Sequence, residues 1–240
     1  MSASGATGAA TRAMPPLAER VTLALDASTY RGTVAVLRGE RVLAEGEAAM
    51  RGEHEERLMP LVARVLADAG LDVSEIDQVV CGEGPGSFTS LRIAGAIAKG
   101  VAMSRGIPLY GVSSLLLIAA AARPALPEGA YVCVADAMRG ECYATDVYVA
   151  GGVIVHETSV RMLRPAEFDA ERAQERRIVG PNVAGVDIEL WPHARGAAAD
   201  LVRLSGERPV ALDAWEPAYG RLAEAQVRWE AEHGRPLAGR

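Results

Sequence analysis

The sequence has few aromatic residues, few cysteines and no long uninterrupted apolar segment. Only 3 cysteines and 4 histidines occur among its 240 residues, and aromatic residues make up 5%. An odd number of cysteines does not suit a disulfide framework, so we expect buried, reduced thiols. No apolar run reaches the ~20 residues of a membrane helix, and the N-terminus lacks the apolar core of a secretory signal. We therefore expect a cytoplasmic protein with no membrane contact.

The charge balance and the histidines exclude further classes of function. A net charge of −6 argues against a protein that binds RNA by itself, because phosphate contacts need clustered cations. No histidine lies three or four residues from another, so no zinc-binding helix is present. His54 lies in a segment that superficially resembles a metalloprotease motif, but Leu58 stands where the second ligand is needed. No Gly-x-Ser-x-Gly elbow occurs either.

The order of predicted elements suggests a duplication. The first half predicts three hairpin-connected strands, an amphipathic helix over Glu53–Ala69, a buried strand, and a helix from Ser87 to about Ser104. A weaker copy follows from Tyr131, with three strands, a short helix and a strand at Arg177–Val179. Both copies end their first strand in aspartate, at Asp26 and Asp136.

The predicted fold is therefore α/β, with two duplicated ribonuclease-H-like lobes of the actin/hexokinase type, mixed sheets covered by helices, and a cleft between the lobes. We expect the second lobe to be reduced. The predicted boundaries are a disordered tail at 1–20, an N-terminal lobe at 21–122 that carries the dimerisation helices, a reduced C-terminal lobe at 123–225, and a tail at 226–240.

The loop at Glu83–Thr89 joins a strand to a helix N-terminus, where free N–H groups and the helix dipole favour an anion. No lysine follows its second glycine, so it is not a P-loop, and a tight turn that needs glycine is an alternative interpretation. The two aspartates match acids that organise a metal in actin-like sites, or they cap turns. The candidate nucleotide or phosphate residues are Asp26, Ser28, Gly84, Gly86, Ser87 and Asp136.

The helix that begins near Thr89 is apolar on two sides and carries charge only at Arg92 and Lys99. A helix that is apolar on both sides must be covered on both sides, and the preceding helix adds a stripe of small, soft side chains. We predict a protein–protein interface there, with complete burial inside the monomer as the alternative. The candidate interface residues are Met59, Ala63, Ala67, Arg92, Ile93, Ile97 and Val101.

Five segments together resemble the TsaB family, the dimerisation subunit of the bacterial tRNA threonylcarbamoyladenosine complex. The likeness extends from about Val21 to Arg221, and the Gly-Pro-Gly-Ser-Phe-Thr stretch is its most specific part. The family usually has glycine at the positions of Ser90 and Ala94, and threonine at that of Ala27. The segments are Leu25–Thr29, Glu53–Leu61, Gly84–Ile93, Asp136–Tyr143 and Glu216–Arg221.

The resemblance implies a non-catalytic paralogue of the catalytic subunit TsaD. Such a subunit binds TsaD through first-lobe helices, acts alongside the ATPase TsaE, and meets tRNA only indirectly. It implies no cofactor in the isolated chain, with ATP or ADP and Mg²⁺ only in the complex. In TsaD a His-x-x-x-His helix holds the metal, whereas this chain has Ser113–Ile118 there. A homodimer is a further expectation when the partner is absent.

Two other functions compete with a partner subunit. The cleft aspartates and the Gly84 loop would suit an ATP-dependent small-molecule phosphotransferase of the actin-like fold. A metallopeptidase is the third hypothesis, and it requires bound zinc or iron for which the sequence offers no ligand set.

Overall fold

The computed structural model describes residues 14–50, 57–122, 124–137, 140–189, 193–197, 208–219 and 232–234. Ten strands and four α-helices lie in this part of the chain. In chain order they are β1 (Val21–Asp26), β2 (Arg31–Arg38), β3 (Arg41–Ala49), α1 (Leu58–Asp68), β4 (Gln78–Gly82), α2 (Phe88–Arg105), β5 (Leu109–Val112), α3 (Ser114–Ala120), β6 (Gly129–Asp136), β7 (Cys142–Ala150), β8 (Val153–Glu157), β9 (Arg161–Leu163), α4 (Phe168–Arg172) and β10 (Arg177–Val179).

The first sheet has the strand order β3-β2-β1-β4-β5. The hairpin strands β1, β2 and β3 are antiparallel, whereas β4 and β5 are parallel to β1, so the sheet is mixed. Every residue of β1 and β4 is buried, which is expected of central strands covered on both faces. Helices α1 and α2 pack on one face, in a core with Leu23, Leu25 and Val79.

The second sheet repeats this order with fewer elements. Its strands run β8-β7-β6-β10, with β9 also pairing with β7, so β6, β7, β8 and β10 correspond to β1, β2, β3 and β4. Strand β10 is parallel to β6, as β4 is to β1. Helix α4 has only 5 residues where α1 has 11. The duplicated actin/hexokinase-like fold and the reduced second lobe are thus confirmed.

The two lobes share one apolar core. Helix α3 is buried at all 7 of its residues. Its leucines belong to a cluster that contains Ala24 and Val80 from the first sheet and Tyr131 and Cys133 from the second. Because one cluster spans both sheets, α3 joins the lobes rather than covering one of them.

The chain returns to the first lobe after the second sheet, which corrects the predicted boundary of 123–225 for the C-terminal lobe. The 3₁₀ helix His193–Arg195 packs against α3, β2 and β1. Residues 208–219, called the strap below, also lie on the first lobe, where the Val210 N–H donates to the Leu109 carbonyl at 2.8 Å. Sequence order alone assigned both segments to the wrong lobe.

The predicted ends of the chain need one further correction. The predicted tail at 1–20 extends too far, because Leu17–Glu19 form a 3₁₀ helix and Arg20 donates to the Pro15 carbonyl and the Gln78 side chain. Residues 1–13, and most of the predicted tail at 226–240, lie outside the described residues. The predicted start of the first helix, at residues 53–56, lies outside them too. In the described part, no helix is long and apolar enough to cross a membrane.

Candidate functional site

A cleft opens between the lobes at the ends of β1 and β6. It holds about 300 Å³ of empty space that is open to solvent. The turn after β1 and the loop before α2 supply one wall, and the β6–β7 hairpin supplies the other. The lining residues are Ser28, Thr29, Tyr30, Gly86, Ser87, Asp136, Ala137 and Tyr143. Four of the six predicted nucleotide-site residues, Ser28, Gly86, Ser87 and Asp136, therefore meet in this cleft.

Asp26 does not reach the cleft, because its carboxylate is fully buried behind it. One oxygen, Oδ1, accepts hydrogen bonds from the Ser28 N–H at 2.9 Å and the Ser28 hydroxyl at 2.7 Å, and lies 2.6 Å from His193 Nε2. The other oxygen, Oδ2, accepts from the Ser114 hydroxyl. Both oxygens are thus engaged by groups of the same chain.

The environment of Asp26 favours its ionised form. Burial alone would raise the pKa of Asp26, but the adjacent His193 and the hydrogen bonds from Ser114 and Ser28 outweigh burial and lower it. The backbone is fitted closely around this carboxylate: a Cβ on Gly82 would lie 1.6 Å from Asp26 Oδ2. The Asp26 carboxylate is therefore a buried anion whose hydrogen bonds come from three separate chain segments.

Two N–H groups of the candidate phosphate loop donate to groups of the same chain. Gly84 N–H donates to the Ser114 hydroxyl at 2.9 Å, and Ser87 N–H donates to the Ser28 carbonyl at 2.8 Å. Pro85 has no N–H to offer. A Cβ on Gly84 would lie 2.3 Å from the Ala218 carbonyl, so the strap also covers this glycine. The phosphate loop remains a prediction, and these bonds count against it.

His193 is the site residue that sequence analysis missed. It lies 167 residues from Asp26 in the sequence, inside a segment without a recognisable motif. Its imidazole is fully buried, and the following residue, Ala194, donates its N–H to the Thr33 hydroxyl at 3.1 Å. Only the packing of this segment on α3 and β2 brings the two side chains together.

The predicted interface on α1 is exposed. Met59 is 48% exposed, and Ala63 and Ala67 follow it at helical spacing on the solvent side, opposite buried Leu58 and Leu61. On α2 the exposed positions recur at the same helical spacing, and they include four that sequence analysis did not select. This outer face of α2 consists of Thr89, Arg92, Ala96, Gly100 and Met103.

Val101 is a correction to the predicted interface. It is 8% exposed and packs in the core with Ala98 and Ala102, so it cannot face a partner. Ile93 and Ile97 are half-buried and pack against the same core from its edge. The two apolar sides predicted for α2 are therefore largely covered within this chain.

Ser90 and Ala94, where the resembling family has glycine, also point inward. They are 4% and 0% exposed, and the Ser90 hydroxyl lies 3.0 Å from that of Ser87. These replacements therefore affect the packing of α2 on its own lobe and leave its outer face unchanged.

The strap, residues 208–219, lies along one flank of α2. Trp215 Nε1 donates to Glu83 at 3.1 Å, and the Lys99 ammonium lies 5.7 Å from the Trp215 ring centroid. Gly95 allows the approach, since a Cβ there would lie 3.3 Å from Pro217. Ala218 N–H completes the attachment by donating to the Glu83 carbonyl at 2.6 Å.

Metal-binding and nucleophilic groups are sparse in the described residues. No group of three or more His, Cys, Asp or Glu side chains there could hold a metal ion. Burial and the nearby Asp136 raise the pKa of Cys142 to about 11, and burial raises the pKa of Cys81 well above its ordinary value. Both thiols are therefore protonated at neutral pH and are weak nucleophiles.

Two kinds of sequence likeness bear on the function. A family model described as TsaD, tRNA N6-adenosine threonylcarbamoyltransferase, matches residues 47–175. The tRNA threonylcarbamoyladenosine biosynthesis protein TsaB of Escherichia coli is 31% identical over 218 residues, which cover 90% of this chain and 92% of that protein. The TsaB protein of Bacillus subtilis is 30% identical over 223 residues, with 86% and 96% coverage.

Solved structures agree with the sequence comparison. A Pseudomonas aeruginosa protein described as similar to peptidase YeaZ superposes with a TM-score of 0.67 and 27% identity, covering 84% of this chain and all (100%) of that one. YeaZ from the same organism gives a TM-score of 0.66 at 24% identity over 83% of this chain and 99% of its own. The second match supports the fold alone.

Proposed function

Because this chain belongs to the TsaB family of tRNA threonylcarbamoyladenosine biosynthesis proteins, we propose that it is a non-catalytic subunit that binds and supports the catalytic paralogue TsaD. The match of residues 47–175 to the TsaD model supports a common origin of the two subunits. Two related chains with similar first-lobe helices can pair those helices in a pseudo-symmetric interface.

The buried, fully hydrogen-bonded carboxylate of Asp26 supports the non-catalytic part of the proposal. An acid that organises Mg²⁺ at a phosphate must present oxygen atoms to the metal and its water shell. Both Asp26 oxygens instead accept hydrogen bonds from Ser28, Ser114 and His193 inside the protein. A metal could reach them only if these buried side chains moved away, which would disturb the packing of α3 and of the segment around His193.

The exposed sides of α1 and α2 carry the partner-binding part. Met59 and Met103 are 48% and 66% exposed, and methionine adapts readily to an apolar partner surface. The exposed positions of the same helices also include small residues, Ala63 on α1 and Ala96 and Gly100 on α2. Small residues at the contact line allow a second helix to approach closely.

The remaining parts of the proposal follow from this role. The isolated chain holds no cofactor, whereas ATP or ADP and Mg²⁺ act in the complex with TsaD and the ATPase TsaE. With a net charge of −6, the chain meets tRNA only through its partners. The same exposed helix faces would form a homodimer when TsaD is absent.

Complex formation tests the partner role. The purified chain, titrated with TsaD from the same genome, should give a defined complex by light scattering coupled to gel filtration. Met59→Glu should weaken the complex about tenfold or more, because a charge replaces an apolar contact. Met162→Glu, at a methionine that is 40% exposed on the second lobe, is the matched control and should leave it unchanged. An unaltered complex with Met59→Glu would exclude this interface.

Nucleotide binding separates the proposal from its alternative, an actin-like phosphotransferase. Asp136, Ser28, Gly86 and Ser87 line the cleft and motivate that alternative. Calorimetry of the isolated chain with ATP and Mg²⁺ should detect no binding, and assays with small alcohols should detect no phosphate transfer. Tight binding with turnover would replace the subunit role by the phosphotransferase, and stoichiometric zinc or iron would favour the metallopeptidase.

A further inference from the structure

Arg92 is held in one orientation on the outer face of α2. Its guanidinium carbon lies 4.8 Å from the Phe88 ring centroid and 6.0 Å from that of Tyr219. Its Nε donates to the Tyr219 hydroxyl at 3.3 Å, and the two rings pack with centroids 4.4 Å apart. The strap therefore supplies one of the two aromatic rings that fix an exposed cation.

This cation has no acidic partner in the described part of the chain. Several other arginines there pair with carboxylates, such as Arg161 with Asp146 and Arg172 with Asp187. Lys99, two turns further along α2, likewise rests on an aromatic ring of the strap. The outer face of α2 contains no aspartate or glutamate. An oriented guanidinium without a carboxylate is well suited to receive one from outside, because its N–H groups form a planar fork.

We propose that Arg92 binds a carboxylate of the partner protein, next to a partner helix that packs across Ala96 and Gly100. This inference rests on the proposed function and adds the chemistry of the partner: an apolar helical surface flanked by an acidic side chain. It also assigns the strap to the interface, since Tyr219 positions the guanidinium.

Local composition favours an acidic protein surface over RNA phosphates. Arg92 and Lys99 are two cations separated by about 10 Å along the helix, and between them α2 presents Ala96 to solvent. RNA-binding proteins cluster their cations more closely than Arg92 and Lys99 are placed. They are also usually less acidic overall than this chain. An apolar surface with one cation at its edge is typical of a protein interface, where arginine is enriched.

Titration of the full-length chain with purified TsaD tests the inference. Arg92→Ala should weaken the complex about 30-fold, since it leaves the partner's carboxylate unpaired and desolvated. Arg92→Glu should weaken the complex further. Arg92→Lys should bind TsaD only slightly more tightly than Arg92→Ala, because lysine lacks the planar fork. Tyr219→Leu should weaken it about two- to fivefold by removing one ring from the guanidinium.

Arg177 provides the matched control. It is also an exposed arginine over an aromatic ring, 6.0 Å from the centroid of Tyr131, but it lies on the second lobe. Arg177→Ala should leave the affinity for TsaD unchanged, and thermal unfolding should show that each variant is folded.

The outcomes separate the two proposals. If the wild-type chain forms no complex with TsaD, the proposed function and this inference both fail. If the complex forms and tolerates Arg92→Glu, only the inference is overturned. Loss of tRNA binding by Arg92→Ala, with an unchanged affinity for TsaD, would overturn it in favour of an RNA contact.

Discussion

The Asp26 carboxylate joins three segments that are distant in the sequence. Ser28 follows it on the same turn, Ser114 begins α3, and His193 comes from the segment that returns after the second sheet. Hydrogen bonds to an ionised group are about twice as strong as neutral ones, and they are strengthened further where water is excluded. Asp26 therefore stabilises the fold at a position where the sequence alone suggested an acid that organises a metal.

This role predicts a pH dependence. The pKa of folded Asp26 is lowered from 3.8, so its stabilising contribution is fully present above about pH 4 and is lost as the pH falls through the folded value. Asp26→Asn should lower the free energy of unfolding by about 2–4 kcal/mol at pH 7, because the charge-assisted bonds are lost. The difference in the free energy of unfolding between Asp26→Asn and the wild type should become smaller below pH 4. Urea unfolding between pH 3 and pH 7 measures it.

Asp68→Asn serves as the surface control for that series. Asp68 is exposed at the end of α1, so its replacement should change the free energy of unfolding by less than about 0.5 kcal/mol. A gap between Asp26→Asn and the wild type that stays constant from pH 7 to pH 3 would show that the ionised carboxylate is not the stabilising species.

The sequence allowed only part of this cluster to be predicted. Asp26 and Ser28 were recognisable because a buried strand ends there, and Gly84 because a glycine-rich loop precedes a helix. The approach of His193 was not predictable, since no periodicity or spacing links residues 167 positions apart in sequence. Whether an aspartate faces a cleft or a buried histidine depends on tertiary packing, which local patterns do not contain.

Among the helices, α1 was predicted better than α2. Helix α1 has a single apolar stripe, so its exposed Met59 and Ala63 followed directly from periodicity. Helix α2 is covered by its own sheet and, on one flank, by the strap, whose Trp215 belongs to the same core cluster. The sequence indicated that α2 must be covered on several sides, but it could not show that the strap supplies one of these covers.

Two glycines give contrasting predictions for the elements that surround the site. Gly82→Ala places a methyl group 1.6 Å from Asp26 Oδ2 and 2.8 Å from the Ser114 hydroxyl, so it should destabilise the protein by about 3 kcal/mol or more. Gly100→Ala meets nothing within 4 Å and lies inside α2, so it should stabilise the free chain by about 0.5–1 kcal/mol. Thermal unfolding measures both.

The same Gly100→Ala substitution also reports on the proposed interface. If a partner helix crosses α2 at this position, the added methyl group should weaken binding to TsaD while the free chain becomes more stable. Opposite signs in the two measurements would be difficult to explain by a general change in folding. An increase in both the affinity for TsaD and the stability of the free chain would place the partner elsewhere on the surface.

The lobes of this molecule are not independent, although the duplicated sheets suggest that they are. All 7 residues of α3 are buried, those from Leu115 to Ala119 in a core to which both sheets contribute, and the segment around His193 packs on the first lobe. The strap adds a hydrogen bond to the edge of β5 and another to Glu83. Removal of residues after 122 would expose this apolar surface and leave Asp26 buried without His193.

We therefore expect a fragment of residues 14–122 to lack a cooperative unfolding transition, even though it contains the complete first sheet and helices α1 to α3. The loss of the shared core removes apolar burial at about 25 cal/mol per Å², and the loss of His193 leaves a buried carboxylate without a charged or polar partner on one side. Circular dichroism during heating, compared with the full chain, measures the transition. A fragment that unfolds cooperatively near the temperature of the full chain would show that the first lobe folds alone, and the returning segments would then serve binding rather than stability.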